Sequence, residues 1–342
     1  MPMDNNALAQ TQSEEPDSIV QIRDLCVDFF LPNGVLRAVN HVNLDLPAGK
    51  ITGLVGESGS GKTTLTSAVL RTVSNPGKIT NGKILFEGKD IVSLSEKEVR
   101  QYKWRDASMV FQAAQNSLNP SMTIQEQFIE TYLAHKKDTP TKEIIAQADK
   151  LLRAVRLDSK RILRSYPHEM SGGMKQRVMI AFAQLLEPKI LFLDEPTTAL
   201  DVITQDYIFQ ILDVLHEAKQ MTMVLSTHDI AVVANICDYM AVMYGGKIME
   251  MGDIYEMFEQ PKHPYTRMLI DAVPSLIGEM KERTAIPGTP PDLMKEIKGC
   301  AFADRCPLCY AKCRQCEPET RTVSKGHTVA CHRAGKEVRQ HV

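Results

Sequence analysis

The run Gly56-Glu57-Ser58-Gly59-Ser60-Gly61-Lys62-Thr63 constrains this chain more than any other stretch. It meets every fixed position of the phosphate-loop pattern G-x-x-x-x-G-K-[ST]. Just before it, Ile51-Thr52-Gly53-Leu54-Val55 is short, apolar and β-prone, as a buried parallel strand is. Just after it, Thr63 to Arg71 places Leu65, Ala68, Val69 and Leu70 on the buried side of a helix. Strand, glycine loop and helix together predict a nucleoside triphosphate site. Gly56, Gly59 and Gly61 let the backbone turn its N–H groups inward, where a side chain would block a phosphate. The helix N-terminus adds its dipole. Lys62 is expected to reach the β- and γ-phosphates and the Thr63 hydroxyl to help hold Mg²⁺, with Ser58, Ser60 and Thr64 completing the loop.

At 342 residues the chain has room for one large domain, or one domain with an appendage. A hydrophobic share of 43% supports a real core. The net charge of −2 provides no basic field, which argues against non-specific nucleic-acid binding. No uninterrupted apolar run is long enough for a bilayer, and residues 1–17 read as a polar, acidic, disordered lead rather than a signal peptide. A chain of this kind is expected in the cytosol, or on a membrane only through a partner. Cys26 and Cys237 lie alone in apolar segments, as small buried residues do, and the other six cysteines crowd between Cys300 and Cys331. In a reducing compartment such crowding favours metal over disulfides.

Residues 18–55 alternate in short bursts broken by Pro32-Asn33-Gly34 and Pro47-Ala48-Gly49, which predicts a small antiparallel sheet leading into the loop strand. Asn81-Gly82 reads as a hairpin in the same layer. Ser95 with Glu98 predicts a capping box for a helix through about Trp104, and Ala107 to Phe111 a strand that ends at Gln112. From Thr123 to about Arg156 the apolar spacing is helical, so a helical insertion divides the β-rich core. Ser171 to Leu186 predicts another helix. Strands are expected at 189–194, 222–226, 239–244 and 247–251, with helices at 204–219 and 229–236. That alternation calls for a mainly parallel α/β sheet. After about residue 260 proline, and from 300 cysteine, mark an appendage.

Lys189 to Glu195 is an apolar strand ending in two carboxylates, which places Asp194 and Glu195 at the edge of the sheet where α/β ligands bind. Asp194 suits Mg²⁺ binding and Glu195 suits polarising the attacking water. With these residues the chain resembles the ATP-binding subunits of ABC transporters. Met170-Ser171-Gly172-Gly173-Met174-Lys175-Gln176-Arg177 is similar to their signature LSGGQ-x-QR, departing at Met170 and Met174. The resemblance implies that Ser171, Gly172, Gly173 and Gln176 meet ATP bound by a second subunit. It implies that Gln112 meets Mg²⁺ and the water, that Asp201 in Ala199-Leu200-Asp201 crosses the dimer, and that His228 contacts the γ-phosphate. Phe29 resembles the aromatic that stacks on adenine, and Phe30 is the alternative. Tyr166-Pro167-His168-Glu169 falls where the family meets its membrane partner, or is a plain loop. The resemblance spans roughly residues 18–255.

His263-Pro264-Tyr265-Thr266-Arg267, followed by Leu269, Ala272-Val273-Pro274, Pro287-Gly288 and Pro290-Pro291, looks like the C-terminal extension of peptide-importer ATPases. In the oligopeptide, dipeptide and nickel importer subfamily, cysteines at the positions of Cys300, Cys306, Cys313 and Cys331 are implicated in holding an iron–sulfur cluster. Four thiolates can ligate [4Fe–4S] or a structural zinc. Cys306, Cys309, Cys313 and Cys316 form an alternative set.

The resemblance thus implies a P-loop NTPase of the ABC type: a mainly parallel core sheet, an antiparallel β subdomain, a helical subdomain at about 113–175 and an extension over 261–342. The ATPase domain covers 18–260. Such a subunit binds ATP and Mg²⁺ and pairs with a second ATPase subunit, a different one being favoured over a copy of itself. It sits on the cytoplasmic face of a membrane under two permease subunits, which an extracytoplasmic binding protein supplies with peptide. The rivals are the same role in a nickel or metal-chelate importer, and a soluble ABC ATPase acting on nucleic acid or ribosomes.

Overall fold

A computed structural model of the chain describes residues 18–112, 114–198, 200–272 and 286–334. The expected disordered lead over 1–17, Ala199, Val273 and Pro274 lie outside the described residues. In chain order the strands are β1 (Ser18–Leu31), β2 (Gly34–Pro47), β3 (Ile51–Val55), β4 (Gly77–Phe86), β5 (Lys89–Asp90) and β6 (Ala107–Val110). They continue as β7 (Ile190–Asp194), β8 (Thr222–Thr227), β9 (Tyr239–Tyr244), β10 (Lys247–Asp253), β11 (Thr320–Ser324) and β12 (His327–Ala330). The helices are α1 (Lys62–Val69), α2 (Glu96–Tyr102), α3 (Ile124–His135), α4 (Thr141–Ala154), α5 (Ser159–Arg164) and α6 (Gly172–Ala183). After them come α7 (Val202–Lys219), α8 (Ile230–Ile236), α9 (Ile254–Glu259), α10 (Pro264–Asp271) and α11 (Ala311–Gln315).

Two sheets carry the fold. The smaller is antiparallel, in the order β2-β1-β4-β5. The larger runs β11-β12-β10-β9-β3-β8-β7-β6. Its centre, β9-β3-β8-β7-β6, is parallel, which follows from helices connecting the strands. Every residue of β3, β7 and β8 is buried, as expected for strands covered on both faces. On one face Leu54, Phe192, Val224 and Ala241 pack with α1 through Leu65 and with the small sheet through Val20, Ile22 and Leu44. On the other, Leu191, Leu193 and Leu225 join the helices in a second core that holds Phe128, Leu151, Leu152 and Phe182. The loop between β3 and α1 is therefore held from both sides.

The insertion is helical as its periodicity predicts. Thr123 caps α3 with Glu126 in a reciprocal pair, the same device by which Ser95 and Glu98 open α2. Phe128 of α3 is fully buried and stacks on Phe182 of α6, ring centroids 3.8 Å apart, which fixes the insertion to the core. Replacing Phe128 by Ala is expected to lower unfolding free energy by about 3–5 kcal/mol, the usual cost of removing a buried aromatic ring. Denaturant titration of the purified chain measures it; a change below about 1 kcal/mol would place Phe128 outside the cooperative core.

Two expectations need correction. Asn81-Gly82 does not turn a hairpin but lies within the single strand β4, opposite a bulge in β1. Gly82 has φ 92°, and a Cβ there would stand 2.5 Å from the Asp24 carbonyl oxygen, so the glycine serves strand crossing rather than chain reversal. The C-terminal appendage is not separate from the core either. Its hairpin β11–β12 extends the main sheet, with β12 pairing to β10 at Glu250 and Met251.

Candidate functional site

Val55 ends β3 at the carboxyl edge of the parallel sheet, and the phosphate loop turns there into α1. Gly56 and Gly61 are obligatory in this path. A Cβ at Gly56 would fall 2.1 Å from the Met243 carbonyl oxygen, and one at Gly61 2.3 Å from that of Ala38, with φ 154° and 105°. Lys62 is buried, and its ammonium donates to the carbonyls of Gly56 at 2.7 Å and Glu57 at 3.1 Å. Burial lowers its pKa, while Glu195, Asp194 and Glu57 pull the other way.

The end of β7 delivers the carboxylates. Asp194 is buried with Oδ1 unpartnered. Burial raises its pKa and Glu195 adds to the rise, against a hydrogen bond from Thr63 and the charge of Lys62. Glu195 has φ 44°, a strained setting for a non-glycine residue, and its N–H donates to the Ser226 carbonyl at 2.9 Å. Its carboxylate gathers three neighbours. Gln112 Nε2 donates at 3.0 Å, Thr198 Oγ1 donates at 3.0 Å, and His228 Nδ1 lies at 3.2 Å.

Lys62, Glu195, Gln112 and His228 share one open cleft of about 890 Å³, a size suited to a nucleotide, while Gly56, Asp194 and Thr198 stand behind its lining. Glu57 to Thr64, Gln112, Glu195 and His228 line its polar end. Phe29, Leu31, Leu36, Ala38 and Leu293 line its apolar end. Of the two aromatic candidates Phe29 lines the cleft, and Phe30 stands outside that lining, about half exposed, with Lys78 Nζ 5.9 Å from its ring centre. Strand alternation explains the difference. Sequence reading missed Thr198, Leu31, Leu36, Ala38 and Leu293. Leu293 had no local signal, because it comes from the C-terminal extension and is placed by its carbonyl, which accepts from the Arg37 N–H at 3.1 Å.

A second cleft, of about 550 Å³, is lined by Ser171, Gly172, Gly173, Arg177, Leu200, Asp201 and Thr204, among others. Ser171 caps α6, its hydroxyl accepting from the Met174 N–H, and Asp201 caps α7 through Thr204. The helices meet closely here, since a Cβ on Gly173 would reach within 2.7 Å of Thr204 Cγ2. The structure does not bring these residues to the phosphate loop. It also corrects Gln176, which is only 3% exposed. Gln176 shares a helical face with the buried Ile180 and Ala183, so it packs inward rather than toward a second molecule.

In the extension Cys300, Cys306, Cys313 and Cys331 are near enough for their charges to interact. Burial pushes the Cys300 thiol up to about 12, and Cys331, Cys306 and Cys313 add to the rise. Burial pushes Cys306 up to about 11, with Cys331, Cys309 and Cys313 contributing. The backbone N–H groups of Phe302 near Cys300, Leu308 near Cys306, and Arg333 and Ala334 near Cys331 oppose that rise without overcoming it. Cys316 turns elsewhere, its thiol 3.6 Å from the Lys312 carbonyl. Even so, among the described residues no three His, Cys, Asp or Glu side chains are close enough to hold a metal ion. The expected centre is thus not preassembled. His263 and Tyr265 are buried: the His263 ring accepts from the Tyr265 N–H at 3.0 Å, and the backbone N–H of His263 donates to the Glu250 carboxylate at 2.9 Å.

Comparison with known proteins follows the same division of the chain. The family profile described as ABC transporter matches residues 39–198. That described as the oligopeptide/dipeptide transporter C-terminal region matches residues 249–313. The dipeptide transport ATP-binding protein DppD of Caldanaerobacter subterraneus subsp. tengcongensis is 41% identical over 314 residues, 92% of this chain and 96% of that protein. The oligopeptide transport ATP-binding protein OppD of Salmonella typhimurium is 41% identical over 330 residues, 96% of this chain and 98% of that protein. Among solved structures, the dimeric post-hydrolysis state of the ATP-binding cassette MJ0796 bound to ADP and Pi is similar with a TM-score of 0.62. It is 27% identical and covers 69% of this chain and 98% of that one.

Proposed function

The chain belongs to the ATP-binding proteins of ABC transporters, within the group that carries the oligopeptide/dipeptide C-terminal region, and from that premise we propose that it powers peptide import. It is an ABC-type ATPase. Peptide is favoured over nickel, metal chelates, nucleic acid or ribosomes because both relatives at 41% identity are peptide-transport proteins. The observation that carries the hydrolytic role is the Glu195 carboxylate, held by Gln112, Thr198 and His228 at the open mouth of the phosphate loop.

In this reading the loop N–H groups and Lys62 hold the β- and γ-phosphates, Phe29 stacks on adenine, and Glu195 polarises the attacking water. Asp194, Thr63 and Gln112 fit Mg²⁺, since Asp194 Oδ1 is a buried oxygen without a partner and Thr63 and Gln112 line the cleft. That ion, when bound, neutralises charge gathering on the phosphates. Ser171, Gly172 and Gly173 lie exposed or half-buried at a helix start, in a cleft separate from the loop, which suits contact with ATP on a second subunit. ATP binding then closes two such subunits and hydrolysis reopens them, driving alternating access in the permease. Asp201 crosses that dimer, a different ATPase being favoured as the partner. Residues 18–260 act as the ATPase domain, with the helical subdomain at about 113–175 and the extension over 261–342.

Among the described residues no helix is long and apolar enough to cross a membrane, consistent with a peripheral subunit. It works against two membrane permease subunits, with a binding protein delivering the solute. We place it on the cytoplasmic face, with Tyr166 to Glu169, where Tyr166 is exposed, toward the permease. For Cys300, Cys306, Cys313 and Cys331 we favour a [4Fe–4S] cluster. These four cysteines are near enough to interact electrostatically, and a cubane accepts wider spacing between its sulfurs than one ion does. Such a cluster is structural or regulatory, since the hydrolytic groups lie elsewhere.

Anaerobic purification from membranes, with metal and sulfide analysis and identification of the accompanying chains, tests both parts. Iron and sulfide in equal amounts, beside two multi-spanning proteins and a second ATPase, are expected. Zinc, or no metal, would overturn the cluster alone. A protein that carries nucleic acid and no membrane partner would overturn the transport reading.

A further inference from the structure

Glu57, the second residue of the phosphate loop, is held from three directions. Its carbonyl accepts from Lys62 at 3.1 Å. Its N–H donates to the Tyr265 hydroxyl at 3.1 Å. Its carboxylate takes both arms of Arg305, Nη1 at 2.6 Å and Nη2 at 2.9 Å. Tyr265 and Arg305 both belong to the C-terminal region, 208 and 248 residues along the chain.

Arg305 is built to be immobile. Its side chain is 5% exposed. Nη1 also donates to the Tyr244 hydroxyl at 3.0 Å, Nε to the Pro287 carbonyl at 2.7 Å and Nη2 to the Ile286 carbonyl at 3.2 Å. Its guanidinium lies against the rings of Tyr244 and Phe302, which pack with Tyr265. A planar fork of this kind fixes a carboxylate in direction as well as distance. The charge matters as much. A carboxylate inside an anion-binding loop opposes phosphates, and a buried guanidinium cancels that opposition.

We propose that Arg305, assisted by Tyr265, is a positioning residue for the phosphate loop: the C-terminal extension neutralises and orients Glu57 so that the loop accepts a triphosphate. This deepens, and rests on, the reading of the loop as an ATP site. The extension is then a working wall of the nucleotide cleft rather than an attachment to it. Leu293 at the opposite, apolar end of the same cleft agrees with this.

ATP binding to the full chain by calorimetry tests it, with melting temperature recorded for each variant. Arg305→Ala leaves the Glu57 carboxylate unpaired beside the loop and is expected to weaken ATP binding by about tenfold or more. Glu57→Gln added to Arg305→Ala removes the stranded charge and is expected to restore most of that affinity, which a merely structural role for Arg305 does not allow. Arg305→Lys keeps charge without the fork and is expected to fall between; it carries the test if Arg305→Ala does not fold. An unaltered chain that fails to bind ATP overturns the loop reading and this inference together. An unaltered chain that binds ATP, with variants that match it or a double variant as weak as Arg305→Ala, overturns the inference alone.

Discussion

Glu195→Gln is expected to cut ATP hydrolysis by about 10²–10⁴-fold while leaving ATP binding close to that of the unaltered chain. The side chain keeps its size and still meets Gln112, Thr198 and His228, so the cleft keeps its shape. What it loses is the negative oxygen that draws a proton from water. Because the residue sits at φ 44° and one position past a buried strand, its placement owes little to its own charge. Single-turnover hydrolysis beside equilibrium ATP binding separates the two quantities. A variant that hydrolyses at the parental rate would move the polarising role to another group, such as His228, which lies 3.2 Å from the carboxylate.

Lys62→Ala should act on binding instead. Lys62 is a buried cation between the loop carbonyls and the two carboxylates, and its ammonium bonds to the carbonyls of Gly56 and Glu57. When phosphates replace those carbonyls, each charge-assisted hydrogen bond contributes about 1.5–3 kcal/mol. Two such bonds imply a dissociation constant for ATP at least about 10²-fold higher in the variant. Calorimetric titration with ATP reads this directly. Parental affinity in the variant would mean that backbone N–H groups alone bind the triphosphate.

The local parts of this protein were open to reading in its sequence. Strand, loop and helix around Gly56 to Thr63 are contiguous, and the apolar run ending in Asp194 and Glu195 marks a strand terminus by composition alone. The caps at Ser95 and Thr123 were equally plain, since a capping box lies within four residues. What stayed hidden depends on distance along the chain or on a competing use of the same residues. Nothing near Glu57 announces Tyr265 or Arg305. Asn81-Gly82 carries a hairpin signal, but pairing of β4 along β1 uses its glycine for a crossing. Gln176 fits a motif, but helical geometry turns it toward Ile180 and into the core. The strand Thr320–Ser324 is mostly exposed and lacks apolar alternation, so only its partner β12 identifies it.

The pairing of β12 with β10 also has a meaning in time. A ribosome releases β10 well before residues 327–330 exist, so for that interval the nascent sheet ends in a strand whose outer N–H and C=O groups face water. Ile248, Met249 and Met251 lie along it, and such an open apolar edge is a template for a second nascent chain. The closing hairpin is therefore the last stitch of a garment already worn: it ends the period in which synthesis exposes this protein to its own copies.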